Sequence, residues 1–333
     1  EAPVPIAHVR SEMETLGGAA NVAHNLTRLA CQVSIAGFVG KDYHGKSLLE
    51  KLRVRGIDGA GLILTDRPTT TKLRVIGGHQ QMLRLDFEES AAVTGKEAEH
   101  FLAGIYKKLD EGLDCLIISD YGKGACTEEN CQKIIAACKA HHVPVIVDPK
   151  GTNWMKYAGA DYITPNLKEI NAVLPDPIRN EDAPVEQAAR DVMKRFHLGN
   201  IIVTRSEAGL SFIREEEIKH IPTKAQEVFD VSGAGDTVIA VFAMGIAGGF
   251  TGDYLLTELQ DKGIASNFVR LDRGNTRINI KLNGIVMTMV NGMGPKIPEK
   301  KVDELLERMD VVRAGDTLVL TGSIPNSLPE DIY

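Results

Sequence analysis

The chain has 333 residues, 43% of them hydrophobic, enough for one large domain or two ordinary ones. Its 38 Lys and Arg stand against 45 Asp and Glu, a formal net charge of -7, so broad attraction to nucleic acid is not expected, although local basic spots could hold a phosphorylated metabolite. No stretch is apolar enough to span a membrane, no signal-peptide pattern opens the residues, and five cysteines include no CxxC pair, so a soluble, cytoplasmic, reducing setting is expected.

In chain order, the first informative stretch is "LGGAANVAHNLTRLA" (16–30). Gly17 and Gly18 lead a helix with Val22, Leu26 and Leu29 on its apolar side. Small residues there let a polar ligand reach the backbone, and Asn21 offers both a donor and an acceptor. Next comes "GKDYHGKS" (40–47), which fits the phosphate-binding pattern G-x-x-x-x-G-K-[ST] between an apolar run and a helical one. Its interior is a poor cradle, because Lys41, Asp42, Tyr43 and His44 would crowd the backbone, and Asp42 would face phosphate with like charge. An ordinary packed helix from Gly45 to Gly56 is preferred, while the P-loop reading stays open. Residues 61–88 read as two β-rich runs around a Gly77-Gly78 turn, an antiparallel flap.

Beyond about residue 110 short apolar strands alternate with helices. "CLIISD" (115–120), "VPVIVD" (143–148), "DYIT" (161–164) and "IIVT" (201–204) read as buried parallel strands. Helices are expected over about 128–141 and 185–196, and Cys131 and Cys138, seven apart on one face of the former, read as buried thiols. This rhythm predicts a doubly wound α/β sheet with ligands beyond the carboxyl ends of its strands. "TPNLKE" (164–169) puts Asn166 and Glu169 at that rim, and "VTRSEAG" (203–209) follows the next strand in the same way.

The better anion site is "DVSGAGDTVIAVFAMGIAGG" (230–249). Gly233, Ala234 and Gly235 form a small-residue turn opening a helix, where converging amides and the macrodipole favour an anion. Asp236 in the first turn then suits a general base that takes a proton from an attacking hydroxyl. Taken alone, the same residues also describe an acid capping a glycine-started helix.

Together and in this order, the two-glycine motif with Asn, N-x-x-E, T-R-S-x-x-G and D-x-x-G-A-G-D resemble the ribokinase-like (PfkB) family of carbohydrate kinases. Phrases from "EAPVPI" to "DVSGAGDTV", including "SDYGKGA" and "VDPKG", are most similar to its heptose 7-phosphate kinase branch over residues 1–249. The resemblance implies a three-layer α/β/α fold with a mostly parallel sheet and a small β lid at about 61–88, a lid that often mediates dimers in this family. It implies Asp236 as catalytic base with Gly233, Ala234 and Gly235 as the anion hole. Gly17, Gly18 and Asn21 would hold the sugar. Asn166, Thr204, Arg205 and Gly209 would bind the nucleotide, and Glu169 would serve Mg²⁺, in part through water. Lys150 and Arg84 are candidates for the sugar's existing phosphate, with a plain solvated surface role standing beside that one. The implied reaction transfers phosphoryl from ATP to D-glycero-D-manno-heptose 7-phosphate, giving the 1,7-bisphosphate and ADP.

An internal echo sets the tail apart. "TKLRVIGG" (71–78) returns as "TRINIKLNG" (276–284), and "DEGLDCLIISDYGKG" (110–124) as "RAGDTLVLTGSIPNS" (313–327), an offset of roughly 200 residues, far beyond short solenoid periods. Residues 250–333 resemble the 1-phosphofructokinase and tagatose-6-phosphate kinase branch, through "GGFTGDY", "NGMGP" and "LTGSIPNSLPEDIY". They read as a partial second copy joined at Gly248-Gly249. The family's opening strand, its usual C-terminal helices and an H-x-G-H transferase motif are absent from these residues. A ketohexose-phosphate kinase, and an incomplete relative that only binds ligand, are therefore carried as alternatives.

Overall fold

Four short apolar runs build the parallel part of the core. They are β5 (Leu116–Ser119), β6 (Val145–Asp148), β7 (Tyr162–Ile163) and β8 (Asn200–Thr204), hydrogen-bonded in that order. The sheet continues antiparallel through β9 (Leu210–Ile213) and β10 (Ile218–Ile221), completing six strands. The computed structural model describes residues 8–77, 80–223 and 233–247, the segments 279–283 and 287–291, and Lys300.

β6 and β8 are buried through their middles, as expected for strands covered on both faces. The cover comes from α3 (Gly95–Glu111), α4 (Glu128–Ala140) and α6 (Asp182–Phe196). Each places an apolar stripe inward at helical spacing. In α3 it is Ala98, Phe101, Leu102, Ile105 and Leu109; in α6 it is Val185, Ala188, Ala189, Val192 and Phe196. In α4 the stripe includes Cys131 and Cys138, fully buried free thiols as their spacing suggested. Burying each large side chain of this kind contributes about 1.5–3 kcal/mol.

A separate parallel pair, β1 (Ser34–Gly40) with β2 (Asp58–Thr65), is flanked by α1 (Ala19–Arg28) and α2 (Tyr43–Val54). Phe38 of β1 meets Phe101 of α3 with ring centroids 5.2 Å apart, which joins this pair to the main core. Residues 61–65 therefore belong to β2 and not to the flap. The run "GLILT" pairs with β1, and Ile63 packs against the core, so its apolar residues are drawn inward. The flap is instead the antiparallel hairpin of β3 (Thr71–Gly77) and β4 (Gln80–Phe87), with Gly78 of its turn outside the described residues.

The chain divides into two compact units, residues 1–224 with 231–244, and residues 225–230 with 245–333. In the second, β11 (Asn279–Asn283) and β12 (Met287–Asn291) form an antiparallel hairpin. Its first strand lies in the segment that echoes β3.

Candidate active site

Three elements far apart in sequence meet at Asp236. This residue lies in the first turn of α7 (Ala234–Ala247) and is only 9% exposed. Asn21, in the first turn of α1, donates from Nδ2 to Asp236 Oδ2 at 2.7 Å. Tyr121, just past β5, donates its hydroxyl to Asp236 Oδ1 at 2.8 Å. Both carboxylate oxygens are thus held, one by each neighbour.

The preceding turn is open. Ala234 and Gly235 are exposed, and a Cβ built on Gly235 would meet nothing within 4 Å. The first amides of α7 therefore face accessible space at the positive end of a 14-residue helix. Gly233 has φ +80, and its carbonyl accepts from the Thr237 amide at 3.0 Å and hydroxyl at 3.1 Å. Asn25 in turn donates to the Thr237 hydroxyl at 3.3 Å, a second tie between α1 and α7. Gly18 starts α1 at φ +55, and a Cβ there would sit 3.3 Å from the Tyr121 ring. Gly17 is exposed with free space beside it.

The strand ends add further carboxylates. Asp148 closes β6, and its carboxyl is pushed up to about 7, first by burial and then by Glu169, Asp236 and Asp120, with Lys150 pulling the other way. Glu169 and Asn166 form a reciprocal capping box on α5 (Leu167–Val173), with bonds of 3.1 and 2.9 Å. Lys150 is half exposed, and its Nζ lies 3.4 Å from Glu169 Oε1. Asn166 bridges directly to Thr204 at the end of β8, so the N-x-x-E and T-R-S turns lie side by side.

Arg205 and Arg84 stand apart from that rim. Arg205 is 3% exposed, with Nε on Asn180 Oδ1 (2.9 Å) and Nη1 on Asp182 Oδ1 (2.6 Å) and Ser211 Oγ (2.9 Å). These donors tie α6 to the sheet rather than facing outward. Gly209, φ +84, lies against β10, where a Cβ would fall 2.0 Å from the Ile221 carbonyl. Arg84 pairs with Asp86 at 3.0 Å within the exposed hairpin.

Tyr121 is the one contact to Asp236 that residue chemistry alone did not single out. Its signal was positional: it follows a strand's carboxyl end, where ligands of doubly wound sheets gather. The P-loop pattern resolves differently. Lys46 and Ser47 lie inside α2, and Asp42 caps that helix by accepting from the Gly45 amide at 2.7 Å. The Thr69 amide and hydroxyl donate to the same carboxylate, each at 2.7 Å, so the loop is filled by its own acid.

Among the described residues no three His, Cys, Asp or Glu side chains converge as a ready-made metal cage. Mg²⁺ commonly takes one or two carboxylates plus substrate phosphates and water. Asp148 and Glu169 fit that mode: burial raises the Asp148 carboxyl first, and the neighbouring Glu169 charge that raises it further is what a divalent cation would offset. No described helix is long and apolar enough to cross a membrane.

Comparison with known proteins agrees with this geometry. Residues 2–249 match the family model described as pfkB family carbohydrate kinase. Bifunctional protein HldE of Trichlorobacter lovleyi is 41% identical over 251 residues, covering 75% of this chain and 51% of that protein. HldE of Vibrio vulnificus is 42% identical over 250 residues, with the same coverage. The chain thus spans about half the length of these curated relatives. The tetrameric inhibited form of phosphofructokinase-2 from Escherichia coli superposes with TM-score 0.63 at 18% identity, over 74% of this chain and 81% of that one, a likeness of fold. The chain belongs to the pfkB family of carbohydrate kinases, with the ribokinase-like α/β fold of that family.

Proposed function

We propose that this chain phosphorylates a sugar phosphate at the expense of ATP, and that its acceptor is D-glycero-D-manno-heptose 7-phosphate. The observation that carries the mechanism is the buried Asp236, held through both oxygens at the open start of α7. Similarity to the HldE proteins over the matched residues supports the heptose acceptor.

Asp236 takes the proton as the sugar hydroxyl oxygen bonds to the γ-phosphorus of ATP. The bond from that phosphorus to the β-phosphate bridging oxygen breaks, and ADP leaves. Amides of Gly233, Ala234 and Gly235 meet the charge spread over the transferring phosphoryl group. Gly17, Gly18 and Asn21 border the sugar, and Lys150 and Arg84 are the candidates for its existing phosphate. Asn166, Thr204 and Gly209 border the nucleotide at the strand ends, while Arg205 holds the frame from behind. Mg²⁺ at Asp148 and Glu169 would neutralise the nucleotide phosphates. A cytoplasmic setting suits ATP use and five free thiols.

The test is ADP release with Mg-ATP and heptose 7-phosphate, fructose 1-phosphate, fructose 6-phosphate or tagatose 6-phosphate. Asp236→Ala is expected to lower kcat by about 10² to 10⁴, the usual contribution of a positioned base. Lys46→Ala should leave it within a few-fold. Loss in Lys46→Ala with Asp236→Ala active would restore the P-loop reading. Preference for fructose 1-phosphate, fructose 6-phosphate or tagatose 6-phosphate would transfer the acceptor to the ketohexose-phosphate branch.

A further inference from the structure

The segment after β5 is built to hold a side chain still. Asp120 is buried, receiving the Gly122 amide at 2.6 Å, the Tyr157 hydroxyl at 2.6 Å and the Lys156 ammonium at 2.5 Å. One residue on, Tyr121 reaches Asp236 across the site. The Tyr121 ring lies over Gly18, where an added methyl would crowd it.

The same segment is clamped to the stem of the β3–β4 hairpin. Lys123 pairs with Glu88, the residue after β4, at 2.7 Å. Val93 donates its amide to the Gly124 carbonyl at 2.9 Å. Gly124 has φ +89, and a Cβ there would overlap the Ala91 carbonyl, so the two segments are in direct backbone contact. Arg67, on the entering side of the hairpin, donates to that carbonyl at 2.5 Å and pairs with Glu89 at 3.3 Å.

Resting on the base assignment above, we propose that Tyr121 is a positioning residue for Asp236, set in place by the hairpin stem through Lys123 and Gly124. Its hydroxyl and the Asn21 amide fix the plane of the carboxylate and leave each oxygen a free lone pair for the acceptor hydroxyl. Burial, then the charge and hydrogen bond of Asp236, then Asp148, push the Tyr121 hydroxyl well above its ordinary range, so it remains a donor throughout the working pH range. The charged groups crowding this site are Asp236, Asp148, Asp120, Glu169 and Lys150. A movement of the hairpin thereby reaches the base through a chain of only a few residues.

Two measurements on the full chain test this. In protein carrying ¹³Cζ-tyrosine, the resonance missing from Tyr121→Phe identifies Tyr121 among the seven tyrosines. It is expected to shift in Asp236→Asn, and to a smaller extent in Lys123→Met. An unmoved resonance in Asp236→Asn would overturn the contact, and one unmoved in Lys123→Met would overturn the link to the hairpin. With Mg-ATP and heptose 7-phosphate, Tyr121→Phe should lower kcat roughly 10- to 100-fold with the sugar KM nearly unchanged. Wild-type kcat in Tyr121→Phe would refute the positioning role. Absence of turnover in the wild-type chain would remove the kinase reading alone, since the resonance shift decides the contact without catalysis.

Discussion

Asp148 shows how the neighbourhood of one residue sets a property of the whole protein. In an unfolded chain its carboxyl titrates near 3.9. In the folded protein it is pushed up to about 7, by burial and then by Glu169 and Asp236. Between roughly pH 4 and 7 the folded state keeps a proton on Asp148 that the unfolded state has released, so the contribution of Asp148 to stability falls as pH rises through that window. Asp148→Asn removes that contribution. In urea unfolding the variant should match wild type near pH 4 and exceed it at pH 8 by on the order of 1–3 kcal/mol. Kinase activity should fall in the same variant, because a neutral amide is a poor partner for Mg²⁺. At this scale an acid and an amide at helix starts carry recognisable chemistry, and the structure brings Asp236 and Asn21 into contact. Type alone singled out no role for Tyr121 and did not show which way Arg205 turns. A tyrosine is ambiguous until its hydroxyl has a partner, and Arg205 turns inward only because Asn180, Asp182 and Ser211 surround it.

Elements were legible where the apolar period is long. The helices expected over about 128–141 and 185–196 fold as α4, 128–140, and α6, 182–196. The start of α2 misleads, because a glycine, a lysine and a serine in the right order say nothing about the backbone they adopt. Asp42 decides it. Burial works against its charge, but bonds from Thr69 and Gly45 prevail and hold its carboxyl below the usual range. Asp42→Ala removes a helix cap and leaves the Thr69 donors without their acceptor, so the urea midpoint should fall by an amount equivalent to about 1–3 kcal/mol. Turnover per folded molecule should persist, which separates a capping acid from a phosphate loop.

At the scale of the molecule, the β3–β4 hairpin pairs with no other strand among the described residues. Directly opposed residues share a face of an antiparallel pair, so Leu73 with Leu85, Val75 with Leu83 and Thr71 with Phe87 make one apolar surface. Leu83 is 51% exposed and Phe87 49%. A two-stranded hairpin is marginal alone in water, and an exposed strand edge invites pairing. A second copy covering this face is the arrangement we propose, and light scattering should give twice the chain mass for wild type. The pair Leu83→Lys and Leu85→Lys should return it to a monomer with the α/β core still folded. A monomeric wild type at working concentration would remove the dimer from the proposal.

The sequence by itself determined the α/β class, because hydrophobic period is local physics, and its motifs in their order carried the resemblance to the family. Only the tertiary structure decided which residues touch. It assigned 61–65 to a strand beside β1, turned Arg205 inward, and brought Asn21 and Tyr121 onto one carboxylate from 215 and 115 residues away. Contacts of that separation follow from how strands and helices pack, and no spacing along the chain records them.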